Sequence, residues 1–183
     1  MQTVETFNER KAAQIAARFL TSAPGRTLPY MKLIKLMYLV DRESIRRWGA
    51  PATDDSYYAM NYGMVLSRVK ELINEGEGTG AWTETVSAPI GYDVNLVGDP
   101  GVDELSRAER ALIDEIQATY GHLTRWDLSE LTHTFPEWKH PNGGATPVRL
   151  FRIAMALGFS DEEAREVERE ASGMRRMRGL TSK

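Results

Sequence analysis

Asp127, Glu130 and His133 recur at i, i+3 and i+6, and Ser129 and His133 form an i, i+4 pair. On a helix these spacings bring side chains to part of one face. A carboxylate, an imidazole and a hydroxyl so placed could set a general base on a nucleophile. The same spacings recur by chance on short polar helices, and a histidine tying a helix end to a neighbouring loop is the plainer use of His133. His122, His133 and His140 are the only histidines, without the i, i+4 pair and intervening glutamate of a zinc hydrolase helix. Zero cysteines exclude a disulfide framework and a thiolate metal site. Gly76-Glu-Gly-Thr-Gly80 follows a helical pattern instead of a strand and lacks the Gly-Lys-Ser/Thr ending of a phosphate loop. Asn142-Gly-Gly144 fails for the same reason, and both read as turns. No catalytic residue, metal or cofactor is expected.

One further carboxylate stands apart. Residues 31–43 are mostly apolar and end in the charged triplet Asp41-Arg42-Glu43, and at about 100° per residue the apolar side chains surround most of a helix. A surface that wide belongs to a central helix. Lys32, Lys35, Arg42, Glu43 and Arg46 share one stripe, whereas Asp41 projects on the line of Ile34 and Met37. A carboxylate on an apolar face costs several kcal/mol unless it is paired or hydrogen-bonded. Asp41 is therefore expected to be an internal polar anchor, as is His133. The lysine stripe has two readings, a solvated helix edge or a row of charges offered to an acidic partner.

The elements that must position these groups are mainly helical. Thr6-x-x-Glu9 is a capping box ahead of Ala13, Ile15, Ala16, Phe19 and Leu20, and Ala23-Pro24-Gly25 ends that helix. The central helix is expected over 29–48, with Gly49 as its stop. Val65, Val69, Leu72 and Ile73 make a helical stripe. Residues 82–87 and 92–97 have strand composition around the turn Ala88-Pro-Ile-Gly91, which predicts one small antiparallel β-hairpin. Capping boxes at Ser106 and Ser160, and Thr124 as a cap, open three later helices, and Thr146-Pro147 opens another that runs to Leu157. The fold class is mainly α with minor β, a helical domain around one buried helix. The last helix has Ala164, Val167, Ala171, Met174 and Met177 as its only apolar stripe, a weak and adaptable one that suits loose packing or another chain.

With 183 residues, 42% hydrophobic and 27% charged, the chain has the size and composition of a single globular domain, or one with a short appendage. No run approaches the ~18 apolar residues of a membrane span. The start Met1-Gln-Thr-Val-Glu-Thr-Phe7 has no basic and apolar regions of a signal peptide, so a cytoplasmic protein of bacterial style is expected. A net charge of −3 argues against a surface that tracks nucleic acid. Arg175, Arg176 and Arg178 form the one basic cluster that stands out, at the end of a helix whose first turn is acidic. Tyr57, Tyr58, Tyr62, Trp82 and Trp138 sit in connectors or at element edges, where they either seal the core or supply a protein interface.

The segment Met31-Lys-Leu-Ile-Lys-Leu-Met-Tyr-Leu-Val-Asp-Arg-Glu43 resembles the signature helix of the Panacea domain, the family of SocA-type antitoxins. The likeness continues through Trp48-Gly-Ala-Pro51, Tyr57-Tyr-Ala-Met-Asn-Tyr-Gly63, Val65-Leu-Ser-Arg-Val-Lys-Glu-Leu72, Leu105-Ser-Arg-Ala-Glu109, Tyr120-Gly121, Leu128-Ser-Glu-Leu-Thr-His133 and Trp138. Where the family carries Gly-Pro-Val this chain has Gly63-Met64-Val65. The shared blocks cover about residues 8 to 140, and an antitoxin domain is expected over 1–158, followed by a charged C-terminal helix and tail over 159–183 that lies outside those blocks. It implies no enzymatic chemistry, and a bacterial or phage toxin–antitoxin system in which the chain neutralises a cognate protein toxin encoded nearby. Lys32, Lys35, Tyr57, Tyr58, Tyr62 and Trp138 are the expected partner contacts. Delivery of the toxin to a protease through the tail 173–183, and autorepression of DNA through the arginine cluster, are the alternatives; self-association is left open.

Overall fold

The computed structural model describes residues 7–76 and 80–181. Helix α2 (Tyr30–Trp48) is its axis, and every residue over 33–41 is buried. Gly49 ends it in the left-handed conformation at φ 70°, and its N–H bonds back to Ile45 O at 2.8 Å. A side chain at that φ would strain the backbone, so glycine fits the stop. Helix α1 (Glu9–Ser22) lies against α2 with Ala12, Ala13, Ala16, Phe19 and Leu20 turned inward. Asn8 is its cap, accepting from Lys11 N at 2.9 Å, while Thr6 of the expected capping box lies outside the described residues. Glu9 instead reaches across to accept from Trp82 N at 2.9 Å.

Helices α4 (Arg107–Tyr120) and α5 (Arg125–His133) cover further sides of α2. Both start with the reciprocal side-chain bonds of a capping box, Ser106 with Glu109 and Thr124 with Asp127. Helix α6 (Leu150–Ala156) touches α2 and carries α7 (Asp161–Thr181), which buries Ala164, Val167 and Ala171. The expected start of α7 is present, with Ser160 and Glu163 exchanging bonds at 2.8 and 3.2 Å. Among the described residues no helix is long and apolar enough to cross a membrane.

The class is mainly α with minor β, and the strands correct the expected hairpin. Strands β2 (Tyr57–Met60) and β3 (Gly63–Leu66) form an antiparallel hairpin, and β5 (Ala145–Val148) pairs with the other side of β2. Tyr57 faces Leu66 on one side and Val148 on the other. Val65 thus belongs to a strand, and α3 begins at Ser67 (Ser67–Glu75). Residues 145–148 are extended rather than helical, and Pro147 sits on an edge strand, where its missing N–H is tolerated. The expected pairing of 82–87 with 92–97 shrinks to the single bridges Val86 with Leu96 and Ile90 with Asp93. Trp82 is buried and 81–85 coils into turns around it, so β4 (Asp93–Asn95) pairs with β1 (Thr27–Pro29) instead. Helix α3 has Leu66 at its N-cap, which offers no side-chain acceptor; the Asp55 carboxylate takes over, accepting from Arg68 N and Val69 N at 2.9 and 3.1 Å.

Candidate functional site

The β2–β3 turn is held by a clasp of side chains from α5, α2 and the loop after α5. Three consecutive carbonyls at the tip each accept one bond. Trp138 Nε1 donates to Met60 O at 3.0 Å, His133 Nε2 lies 3.0 Å from Asn61 O, and Ser129 Oγ donates to Tyr62 O at 2.8 Å. A carbonyl can only accept, so the His133 proton facing Asn61 is on Nε2. From α2, Lys35 Nζ donates to Met64 O at 3.3 Å. His133 also stacks on Trp138 with ring centroids 4.1 Å apart, which braces the two donors against each other.

The loop that carries Trp138 is itself anchored to α2. Buried Glu137 accepts from Tyr38 Oη and Arg42 Nε, both at 2.7 Å, and the Arg42 guanidinium lies 4.0 Å from the Phe135 ring centroid. Burial, with the Glu137 charge beside it, raises the Tyr38 phenol well above its ordinary pKa. Tyr38 therefore stays a donor throughout the ordinary pH range. Further along α2, Asp41 is fully buried and accepts four bonds. They come from Ala52 N and Thr53 N at 2.9 and 2.8 Å, from Thr53 Oγ1 at 2.5 Å and from Tyr57 Oη at 2.9 Å. One carboxylate thus ties α2 to the 50–53 turn and to the first residue of β2. Burial pushes its carboxyl up to about 7, against the pull of those donors.

What the clasp presents is an aromatic row. Tyr62, at the hairpin tip and 59% exposed, meets Trp126 edge to face at 5.8 Å between ring centroids. Trp126 is 51% exposed. The Arg125 guanidinium lies 4.9 Å from the Trp126 centroid and 4.7 Å from that of Tyr92, which is 64% exposed. Tyr92 in turn lies 6.4 Å from Tyr30 at the start of α2, and Tyr30 N bonds to Tyr92 O at 2.8 Å. Ile90 is exposed on the same turn as Tyr92. Four segments therefore contribute to one face that is aromatic, cationic at its middle and fixed by backbone bonds.

The six expected contacts divide. Tyr62 lies on this face. Trp138 is half-buried beneath it as a clasp donor, and Lys32, also half-buried, spends its ammonium on Gly121 O at 2.6 Å. Tyr58 is half-exposed on β2 and lines a separate groove with Arg149 and Ser172. Lys35 and Tyr57 are corrections: both are interior, Lys35 under the hairpin and Tyr57 on Asp41, so neither offers a contact surface. The proposed lysine row is accordingly no continuous surface. The Asp127–Glu130–His133 triplet is likewise dispersed, with Asp127 bonded to Thr124 at the α5 N-terminus and His133 aimed at Asn61. Ser129 and His133 point to neighbouring carbonyls rather than to each other. Among the described residues no group of His, Asp or Glu is placed to hold a metal ion.

Trp126, Arg125 and Tyr92 were missed by sequence reasoning. Trp126 stands about 200° around the helix from buried Leu128, and that angle is the signal in the sequence that it faces outward. Nothing in the sequence brings Tyr92 to Arg125, because the contact depends on β4 pairing with β1.

The family described as antitoxin SocA-like, Panacea domain, matches residues 33–139, more than half of the chain. The chain belongs to the Panacea domain family. The matched span contains α2 from Leu33, the whole β2–β3 hairpin, α5 and Trp138, which are the parts of the clasp. Comparison with curated proteins and with solved structures gave no match. Within the Panacea match, Tyr62, Tyr92, Arg125 and Trp126 are all included, whereas Tyr30 precedes it.

Proposed function

We propose that this Panacea domain neutralises a cognate protein toxin by binding it directly, through the face formed by Tyr62, Tyr92, Arg125 and Trp126. The observation that carries the reading is the aromatic row itself. Large amphipathic rings, held in place before binding, lose little entropy on contact and dominate protein interfaces. A packed core has no need to leave three such rings about half exposed or more, two of them bridged by one arginine and the third against Trp126. The family is one of antitoxins, which suggests a non-enzymatic role and a toxin partner in general. Placement in the cytoplasm, and a prophage-borne or bacterial operon as its setting, belong to the same proposal.

The clasp supports the proposal by explaining how the face is kept ready. Each donor from α5 and its following loop fixes one peptide of the hairpin tip, so Tyr62 is offered on a rigid turn rather than a mobile loop. Co-expression with the product of the adjacent gene tests the reading. The adjacent product alone should arrest growth, and this chain should restore growth and co-purify with it. An adjacent product that is harmless, or that is never retained by this chain, counts against the proposal.

A further inference from the structure

Arg125 is held in an unusual way for a surface arginine. Rings from two different segments lie against its guanidinium, Tyr92 at 4.7 Å and Trp126 at 4.9 Å. Among the described residues it makes no ion pair, whereas Arg10, Arg18, Arg47 and Arg149 each meet a carboxylate. With rings beside it and no carboxylate on it, the guanidinium has N–H groups left to recognise a ligand, and their planar fork matches the two oxygens of a carboxylate. Ring contact also strips water from the guanidinium, so a charge-assisted bond made there is stronger than one in open solvent.

Resting on the proposed toxin-binding reading, we infer that Arg125 receives an acidic side chain of the toxin, seated at the centre of the aromatic face. Tyr62 and Trp126 on one side and Tyr92 with Ile90 on the other surround the ion pair and exclude water from it. Charge complementarity selects a protein carboxylate over a nucleic-acid strand. A strand needs a run of cations, and here a single guanidinium has Asp127 and Glu130 on its own helix and Asp93 next to Tyr92, within a chain of net charge −3. Asp93 and Glu130 are exposed and would repel a polyphosphate backbone.

The test is the dissociation constant of the complex with the adjacent gene's product, measured across a salt series for the full chain and for Arg125→Gln, Arg125→Lys, Tyr62→Ala and Trp126→Ala. Thermal unfolding of each free variant checks that the fold is kept. Arg125→Gln should weaken binding about 10-fold or more and flatten its salt dependence. Arg125→Lys, with the charge but without the fork, should recover only part of the affinity. Wild-type affinity in Arg125→Gln, with binding lost in Tyr62→Ala and Trp126→Ala, overturns the inference and leaves the toxin-binding face standing. Wild-type affinity in all four variants removes the face itself. A single-stranded RNA or DNA oligonucleotide that competes for the wild type, and loses its hold in Arg125→Gln, also overturns the inference by making phosphate the group recognised.

Discussion

At the scale of single residues the interior is held by charges placed where the helix pattern would not tolerate them unpaired. Replacing Asp41 with Ala leaves two backbone N–H groups and two hydroxyls without their acceptor, and each buried donor so stranded costs about 1–3 kcal/mol. Asp41→Ala is therefore expected to lose at least about 3 kcal/mol in urea unfolding. The pH profile of stability follows from shifts of opposite sign. The Asp41 and Asp55 carboxyls are raised by burial, to about 7 and about 6, so between about pH 4 and 7 the folded state holds protons that the unfolded state has released. Their contribution is present below about pH 4 and fades as pH rises through that window. Lys35 is lowered by burial to about 8, so above pH 8 the unfolded state binds the extra proton and stability climbs with pH. Ion-paired carboxylates such as Glu43 and Glu168, whose pKa values are lowered, oppose the first trend only in more acid solution. Urea midpoints should thus pass through a minimum near pH 7–8, and the climb above pH 8 should vanish in Lys35→Met. A midpoint constant from pH 5 to 10 in the wild type would refute these assignments. Asp41 was legible in the sequence because it broke an apolar face. Lys35 was not, since helix angle alone does not say how deep the hairpin and α5 bury that side of α2.

At the scale of elements, the hairpin depends on one residue without a side chain. Gly63 has φ +99°, and a Cβ there would stand 1.9 Å from Thr132 Oγ1 and 3.0 Å from Lys35 Nζ. Left-handed backbone and a clash with α5 combine, so Gly63→Ala should cost about 3 kcal/mol or more and loosen the clasp. Amide exchange at the β2–β3 turn reads this directly: protection should fall there first, and unchanged protection would contradict the clasp. The helices were legible from their caps, as Ser106–Glu109, Ser160–Glu163 and the Gly49 stop all stand where the sequence puts them. The strands were not. β2 and β3 are four residues each, and Val65 fits both the strand alternation of Met64 and Leu66 and the helical stripe of Val69, Leu72 and Ile73. β5 was hidden by Pro147, which opens helices as readily as it sits on a sheet edge.

At the scale of the molecule, the fold converts a buried helix into a rigid platform for an exposed face. Anchors run from α2 through Glu137 to Trp138 and from Trp138 to the hairpin tip, and the tip carries Tyr62 to Trp126. Block order along the chain revealed the family, while the face remained illegible because its rings come from segments joined only by tertiary pairing. The side chains of Arg175, Arg176 and Arg178 lie outside the described residues, so the structure gives the arginine cluster no role. The central claim is that the aromatic face binds the toxin, and the affinity of purified variants for the adjacent gene's product tests it most directly. Tyr62→Ala and Trp126→Ala, both folded as judged by thermal unfolding, should each weaken the complex about 30-fold, near 2 kcal/mol, and lose growth rescue. Wild-type affinity in both variants would contradict the account.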